Sequence, residues 1–355
     1  MTTLITGGGG FVGLALAECL MASGEPVVLF DRHPPPAGML ARLPGPGPVL
    51  ATGDIRSAAD VDAALGHPGV ARVIHAAAIT PDAAREAREP GTVVDVNIGG
   101  TVNLVQRCAA AGPRVRRLLV VSSVAVYGVT PPAGARYDEA TSAPAPAALY
   151  GITKLAAEQA ALRLADLHGI DARVARLGPV YGPWEYATGV RDALSPHTQA
   201  LAALRRGEPV VLPRALRADW LHSRDAAAAL VALLRGTALR HPVYHVGGEV
   251  MTDLAQWCAL LAAAEPAFDW RLAGPDDTPT VRYGLPVDRA ALDTRRLRED
   301  TGWRPARTLA TAAADLLADA GPGPATATAT ATATTATATA TAVTTKDPGA
   351  DAPGS

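Results

Sequence analysis

The chain has 355 residues, 48% of them apolar and 19% charged, enough for a sizeable core and a second structural unit. Its formal net charge of -2 provides no broad cationic surface, so neither nucleic acid nor an acidic membrane is expected as a partner. Cys19, Cys108 and Cys258 are odd in number and form no C-x-x-C pair, so neither a disulfide framework nor a metal site is expected.

Short β-rich runs alternate along the chain with longer alanine-rich stretches, a pattern that predicts a parallel sheet covered by helices. The predicted strands lie at 3–6, 26–30, 49–52, 72–76, 117–123 and 171–178. Residues 34–48, "PPPAGMLARLPGPGP", are read as a mostly irregular crossover, because proline removes donors and restricts its neighbours. Beyond residue 180 the texture becomes loop-like, with a short helix expected at 197–206. The expected layout is a first unit over 1–180 to which 216–250 return, and a smaller substrate lobe interleaved from 181–215 and 251–320. From 321 to 355 the chain is rich in alanine and threonine, whose small side chains bury too little area to offset ordering entropy; a disordered tail is expected. The N-terminus shows no basic segment followed by an apolar core, and no apolar run spans a bilayer, so the expected location is the cytoplasm, with no membrane partner.

The first strand runs into "TGGGGFVG", placing Gly7, Gly10 and Gly13 in a T-G-x-x-G-x-x-G spacing between a strand and a helix. A backbone that must approach a pyrophosphate closely excludes Cβ atoms, and the free N–H groups of a helix start attract negative charge. Phe11 and Val12 lie inside the same loop. Eighteen residues after Gly13, Asp31 ends the second strand, where a carboxylate accepts from ribose hydroxyls and repels a 2′-phosphate. NAD is therefore expected rather than NADP, although Arg32 beside it softens the preference. The fold class implied is α/β, a Rossmann-type doubly wound parallel sheet.

"LYGITK" places Tyr150 four residues before Lys154, on one helix face. Together with "GDIRS", "HAAA", "VNIGGTVNLV", "VVSSVAVYG" and "RLGPVYGP" in this order, the chain resembles the extended short-chain dehydrogenase/reductase family, of the NAD-dependent epimerase and dehydratase type, over residues 1 to 320. The resemblance implies that Asp54 and Ile55 flank the adenine, that Ala76, Ala77 and Ala78 line the cofactor, that Asn97 lies in the neighbouring helix, and that Pro179 and Val180 sit near the nicotinamide. It implies Tyr150 as the general acid/base, Lys154 as its ammonium partner and ribose ligand, and Ser123, aligned on the shared "VYG", as the hydroxyl that holds the substrate oxygen. It also implies a homodimer through helices flanking the sheet.

The resemblance further implies a sugar or sugar-like secondary alcohol as substrate, oxidised by a dehydrogenase or inverted by an epimerase, with a nucleotide-sugar 4-epimerase as the alternative and, behind it, a non-catalytic dinucleotide-sensing regulatory protein, which typically lacks the Tyr and Lys pair. Where dehydratases of the family carry an acidic pair after the catalytic hydroxyl, this chain has Val124 and Ala125. In "LRADWLHSRD" Ala218 stands where nucleotide-sugar relatives carry an arginine, and Arg217 falls one residue early. On a strand that shift turns the side chain to the other face, so a free sugar or sugar acid is also expected. Within "WEYATGVRDALSPHTQ", Trp184, Glu185, Arg191, Ser195, His197 and Gln199 are candidates to read the substrate. His241 and His245 are read as structural, because on a strand they lie about 13 Å apart.

Overall fold

The computed structural model describes residues 1–132 and 134–320; the expected Ala/Thr-rich tail lies outside the described residues. Seven parallel strands form the central sheet: β1 (Thr2–Thr6), β2 (Val27–Asp31), β3 (Val49–Thr52), β4 (Val70–His75), β5 (Arg117–Ser123), β6 (Ala172–Leu177) and β7 (Val243–Val246). Their order is β7-β6-β5-β4-β1-β2-β3. The chain therefore reverses direction of winding between β1 and β4, where a doubly wound sheet opens a crevice at its C-terminal edge.

Near-continuous apolar runs such as "VVLFD" and "RLLVVSS" suit strands covered on both faces. Successive side chains alternate: Ile5, Leu29, Ile74 and Leu119 face one apolar layer, Leu4, Val28, Val73 and Leu118 the other. The first layer is closed by helices α1 (Phe11–Ala22) and α6 (Ser223–Arg235). The second is closed by α2 (Ala58–Leu65), α3 (Gly100–Ala110) and α4 (Leu149–His168), the last stopped by Gly169 at φ 66°. In the 34–48 crossover the only helix is a single turn at Ala37–Leu40, as the prolines dictate.

A further apolar cluster gathers helices α5 (Pro196–Arg206), α7 (Leu254–Ala264) and α8 (Leu309–Ala320) around Tyr181, Trp220, Trp257 and Phe268. The short strand Val210–Leu212 pairs there with Trp270–Leu272. The helix expected at 197–206 is α5, starting one residue earlier because Ser195 caps it and Pro196 takes the first turn.

Beneath the C-terminal edge runs a buried polar chain. Glu158 accepts from Arg176 Nε at 3.0 Å, Arg176 Nη1 donates to the Tyr127 hydroxyl at 2.7 Å, and that hydroxyl meets His245 Nε2 at 2.7 Å. His245 Nδ1 faces the Asp293 carbonyl at 3.2 Å, so Nδ1 carries the proton and Nε2 accepts from Tyr127. Burial holds this imidazole neutral, its pKa lowered to about 3. His245 is thus structural, and His241 stands outside β7. Arg176→Met would leave the Glu158 carboxylate buried without its counter-ion; it is expected to cost about 3–5 kcal/mol, read as a lowered urea midpoint. A loss below about 1 kcal/mol would contradict this account of the pair.

Candidate active site

The glycine loop spans the crevice between β1 and β4. Gly7 sits at φ +66°, and a Cβ there would come 2.7 Å from the Ala77 backbone. A Cβ on Gly13 would come 2.8 Å from the Gly8 Cα, so α1 can approach its own loop only through glycine. The turn is held by Gly10 N–H donating to the Gly7 carbonyl at 3.0 Å and Gly8 N–H to Phe30 at 3.2 Å. At the end of β2 the Asp31 carboxylate accepts from Gly9 N–H at 3.0 Å and Arg32 N–H at 2.7 Å. Burial pushes its pKa up, against the pull of these donors.

One continuous cleft follows. Its outer half is lined by Gly7, Gly10, Asp31, Arg32, Asp54, Ile55, Ala76, Ala77 and Ala78. Its inner half shares Gly7, Gly10, Ala76 and Ala78 and adds Phe11, Val12, Gly13, Ser123, Tyr150, Lys154, Pro179 and Val180. Asn97 lines neither. It is buried, accepts from Ile79 N–H at 2.8 Å and donates to the Ile79 carbonyl and the Thr153 hydroxyl at 3.0 Å each, tying the loop after β4 to α4.

Ser123 ends β5 and accepts from Ala125 N–H at 3.1 Å. Burial raises the Tyr150 phenol above its ordinary pKa, while the Thr80 hydroxyl, the Arg191 guanidinium and the Ser123 hydroxyl favour the phenolate. The sequence reading assigned that help to Lys154. In this structure Lys154 is 6% exposed, and its pKa is lowered to about 8 by burial, with Glu158 opposing. Among the cleft-lining described residues of the inner half, Lys154 and Arg191 are the only charged side chains, both cationic.

The candidates in the variable segment separate sharply. Arg191 lines the cleft. Trp184 does not: its ring is buried and donates to Glu18 Oε2 at 2.9 Å. Ser195 is consumed as the cap of α5, and His197, 0% exposed, stacks on Tyr181 at 3.8 Å between centroids. Arg217 is exposed while Ala218 faces inward, the alternation a strand imposes, and it lies outside the cleft. These four are corrected as substrate contacts by packing that loop composition does not encode. Gln199 is turned away too, donating to the Leu194 and Arg282 carbonyls.

Thr80, Tyr186, Thr188 and Val190 were missed, and all line the inner half. They belong to a strap that crosses the cleft. The Tyr186 hydroxyl donates to the Gly9 carbonyl at 2.6 Å, and Thr80 N–H donates to Val190 at 2.8 Å. An aromatic residue soon after "VYGP" was the one available signal.

A parallel sheet with a glycine-lined crevice at its switch point, an acid at the end of β2 and Ser, Tyr and Lys side chains in one cleft define a dinucleotide-dependent enzyme of the extended short-chain dehydrogenase/reductase class. Residues 3–247 match the NAD dependent epimerase/dehydratase family, and the chain belongs to that family. It is 32% identical over 299 residues to the sterol demethylase protein B of Methylococcus capsulatus, covering 83% of each chain. It is 26% identical over 344 residues to the dTDP-L-rhamnose 4-epimerase of Burkholderia thailandensis, covering 88% of this chain and 93% of that one. The solved structure of MoeE5 in complex with UDP-glucuronic acid and NAD superposes with a TM-score of 0.71 at 26% identity, over 90% of this chain and 98% of that one. The cofactor is NAD, and the crevice fits it: Gly7 and Gly13 leave the cradle free of Cβ atoms, and Asp31 ends β2 against the same loop.

Gly13→Ala forces α1 off its loop and is expected to weaken NAD binding by at least about tenfold, 1.4 kcal/mol, read by calorimetric titration. Undiminished affinity would refute the role given to this contact.

Proposed function

We propose that the protein is an NAD-dependent enzyme that removes and returns hydrogen at a secondary alcohol of a sugar substrate, with Tyr150 as acid/base, Ser123 holding the reacting oxygen and Lys154 holding the nicotinamide ribose. The observation that carries this reading is the convergence of these three side chains with the glycine loop in a single cleft. A free phenol, with a pKa of about 10, is too weak a base at neutral pH. NAD bound here supplies the hydride acceptor and a positive ring beside the phenol. Tyr150 takes the alcohol proton as the carbonyl forms and returns it on reduction; Thr80, Arg191 and Ser123 stabilise its charged form. Lys154 keeps its charge below about pH 8.

Two cations and no carboxylate in the inner half favour a substrate that is anionic near its reacting carbon. A nucleotide-linked sugar acid fits, in keeping with the ligand of the MoeE5 complex. Epimerisation through a transient ketone is the preferred outcome, since the 4-epimerase of Burkholderia thailandensis aligns over nearly its whole length. A second reading, oxidation of a ring alcohol on a sterol-like substrate, is favoured by the relative from Methylococcus capsulatus and by the exposure of Arg217 outside the cleft. We further propose a cytoplasmic homodimer through α3 and α4, since α4 exposes Ile152 and Leu167.

Tyr150→Phe is expected to lose about 10²–10⁴ of turnover with NAD binding intact. Incubation with UDP-glucuronic acid, UDP-glucose and a 3-hydroxysterol decides the substrate: an isomer from the acid without net NADH supports the main reading, and NADH from the sterol alone overturns it in favour of the second. Sedimentation equilibrium should return twice the chain mass; a monomer at micromolar concentration refutes the dimer.

A further inference from the structure

Arg191 faces the reacting centre, and the structure shows what holds it there. Behind it stands Glu185, whose side chain is 1% exposed. The backbone reaches Glu185 through Trp184 at φ 77°, a left-handed conformation that is strained for a bulky residue. Glu185 Oε1 lies 2.9 Å from Arg191 Nη1 in an ion pair and accepts from Ser195 N–H at 2.8 Å. Oε2 accepts from the Thr198 hydroxyl at 2.5 Å and from the Ser195 hydroxyl. Each carboxylate oxygen thus has two partners, three of the four being hydrogen-bond donors, so Glu185 offers nothing free to a substrate. Three of the four come from the first turn of α5, where the helix dipole favours an anion; the fourth is the arginine in the cleft.

We propose that Glu185 is a positioning residue, a buried carboxylate that anchors the Arg191 guanidinium against the N-terminus of α5 and so fixes it beside the Tyr150 phenol. This rests on Tyr150 as the acid/base. The remaining restraints on Arg191 are weaker or backbone-based: Nε donates to the Ala193 carbonyl at 2.9 Å, the guanidinium lies 5.6 Å from the Phe11 ring centre, and residue 191 bridges Thr80 through the main chain. None of these stops the end of the side chain from swinging into solvent, which 31% exposure allows. The groups that bear on Tyr150 are Thr80, Ser123 and Arg191, with Lys154 one helical turn on and Glu86 beside the Tyr150 amide at 3.5 Å. Only Arg191 among them is held by Glu185.

The sign of the effect separates positioning from simple charge balance. If Glu185 holds the guanidinium in place, its loss lets Arg191 leave and the phenolate becomes harder to form. If Glu185 merely offsets the charge of an arginine held by other contacts, its loss makes the phenolate easier to form. The test titrates Tyr150 by phenolate absorbance in NAD-saturated protein, taken as the difference from Tyr150→Phe. Glu185→Gln is expected to move the midpoint upward by about one unit, in the direction of Arg191→Gln, with no further shift in the double variant. A downward or absent shift overturns the proposal. Glu185→Asp keeps the charge over the helix but shortens the arm by one methylene, and carries the test if Glu185→Gln does not fold: the same upward shift is expected, and an unmoved midpoint overturns it. Turnover retained by Tyr150→Phe would instead defeat the catalytic reading and leave this titration standing on its own.

Discussion

The contact on which the rest of the molecule depends is between two pieces of main chain. At the switch point between β1 and β4 the Gly7 backbone lies so near that of Ala77 that a Cβ would overlap it. Everything that makes the crevice a dinucleotide site follows from this approach: the turn through φ +66°, the entry of α1 at Phe11, and the collection of N–H groups at its start. A side chain at this point would push the loop off the sheet and fill the space a pyrophosphate needs. The short side chains of Ala76, Ala77 and Ala78 continue the same requirement along the opposite wall.

The inner half of the cleft solves a different problem. The Tyr150 phenol, the proposed acid/base, is half-buried, and its enclosure alone opposes loss of its proton. The protein answers with cations and hydroxyls instead of solvent. Arg191, from the strap, is the cation that favours the charged phenol, while Lys154, from α4, lines the same half; each lies by a buried carboxylate, Glu185 and Glu158 respectively. Glu158 in turn is held by Arg176, Tyr127 and His245, so the lysine side rests on the sheet and the arginine side on the lobe. Buried charges of this kind are poor sources of stability. Their use here is electrostatic preorganisation, which places charge before the reaction demands it.

The sheet half of the site was legible in the sequence because its constraints act over short stretches. Strand alternation, the glycine spacing and the Asp31 position are each encoded within one strand and one turn, and six of the seven main-sheet strands fall within two residues of where apolar runs placed them. The lobe half was opaque for a physical reason. Trp184, Ser195 and His197 are polar or amphipathic residues in a loop, and composition does not state which of them turns inward. Left-handed Trp184 sends its ring to Glu18, capping consumes Ser195, and His197 joins an aromatic cluster assembled from segments sixty residues apart. The strap residues Thr80 and Tyr186 escaped notice because their partners, Val190 and Gly9, are distant in sequence. Asn97 was placed in the neighbouring helix; its bonds to Ile79 and Thr153 show that it shapes the wall from behind.

What the cleft lacks also constrains its chemistry. Elimination of water from an oxidised sugar needs a second acid/base pair near the reacting ring, beyond the phenol that removes the first proton. After Ser123 the chain turns at once into the short helical segment Val124–Tyr127, where Val124 is buried and Ala125 carries no titratable group. No carboxylate lines the inner half among the described residues. In the proposed reaction a ketone would therefore find Tyr150 as the proton donor in this half of the cleft and no carboxylate to carry a further proton transfer. The proposed chemistry then has three exits: return of hydrogen to the face first used, which restores the substrate; return to the other face after the ring has turned, which inverts it; or release of the ketone with net reduction of NAD. The surface against which such a ring would turn belongs to the strap and the lobe, so the outcome of the chemistry is set by the part of the chain that the sheet does not dictate.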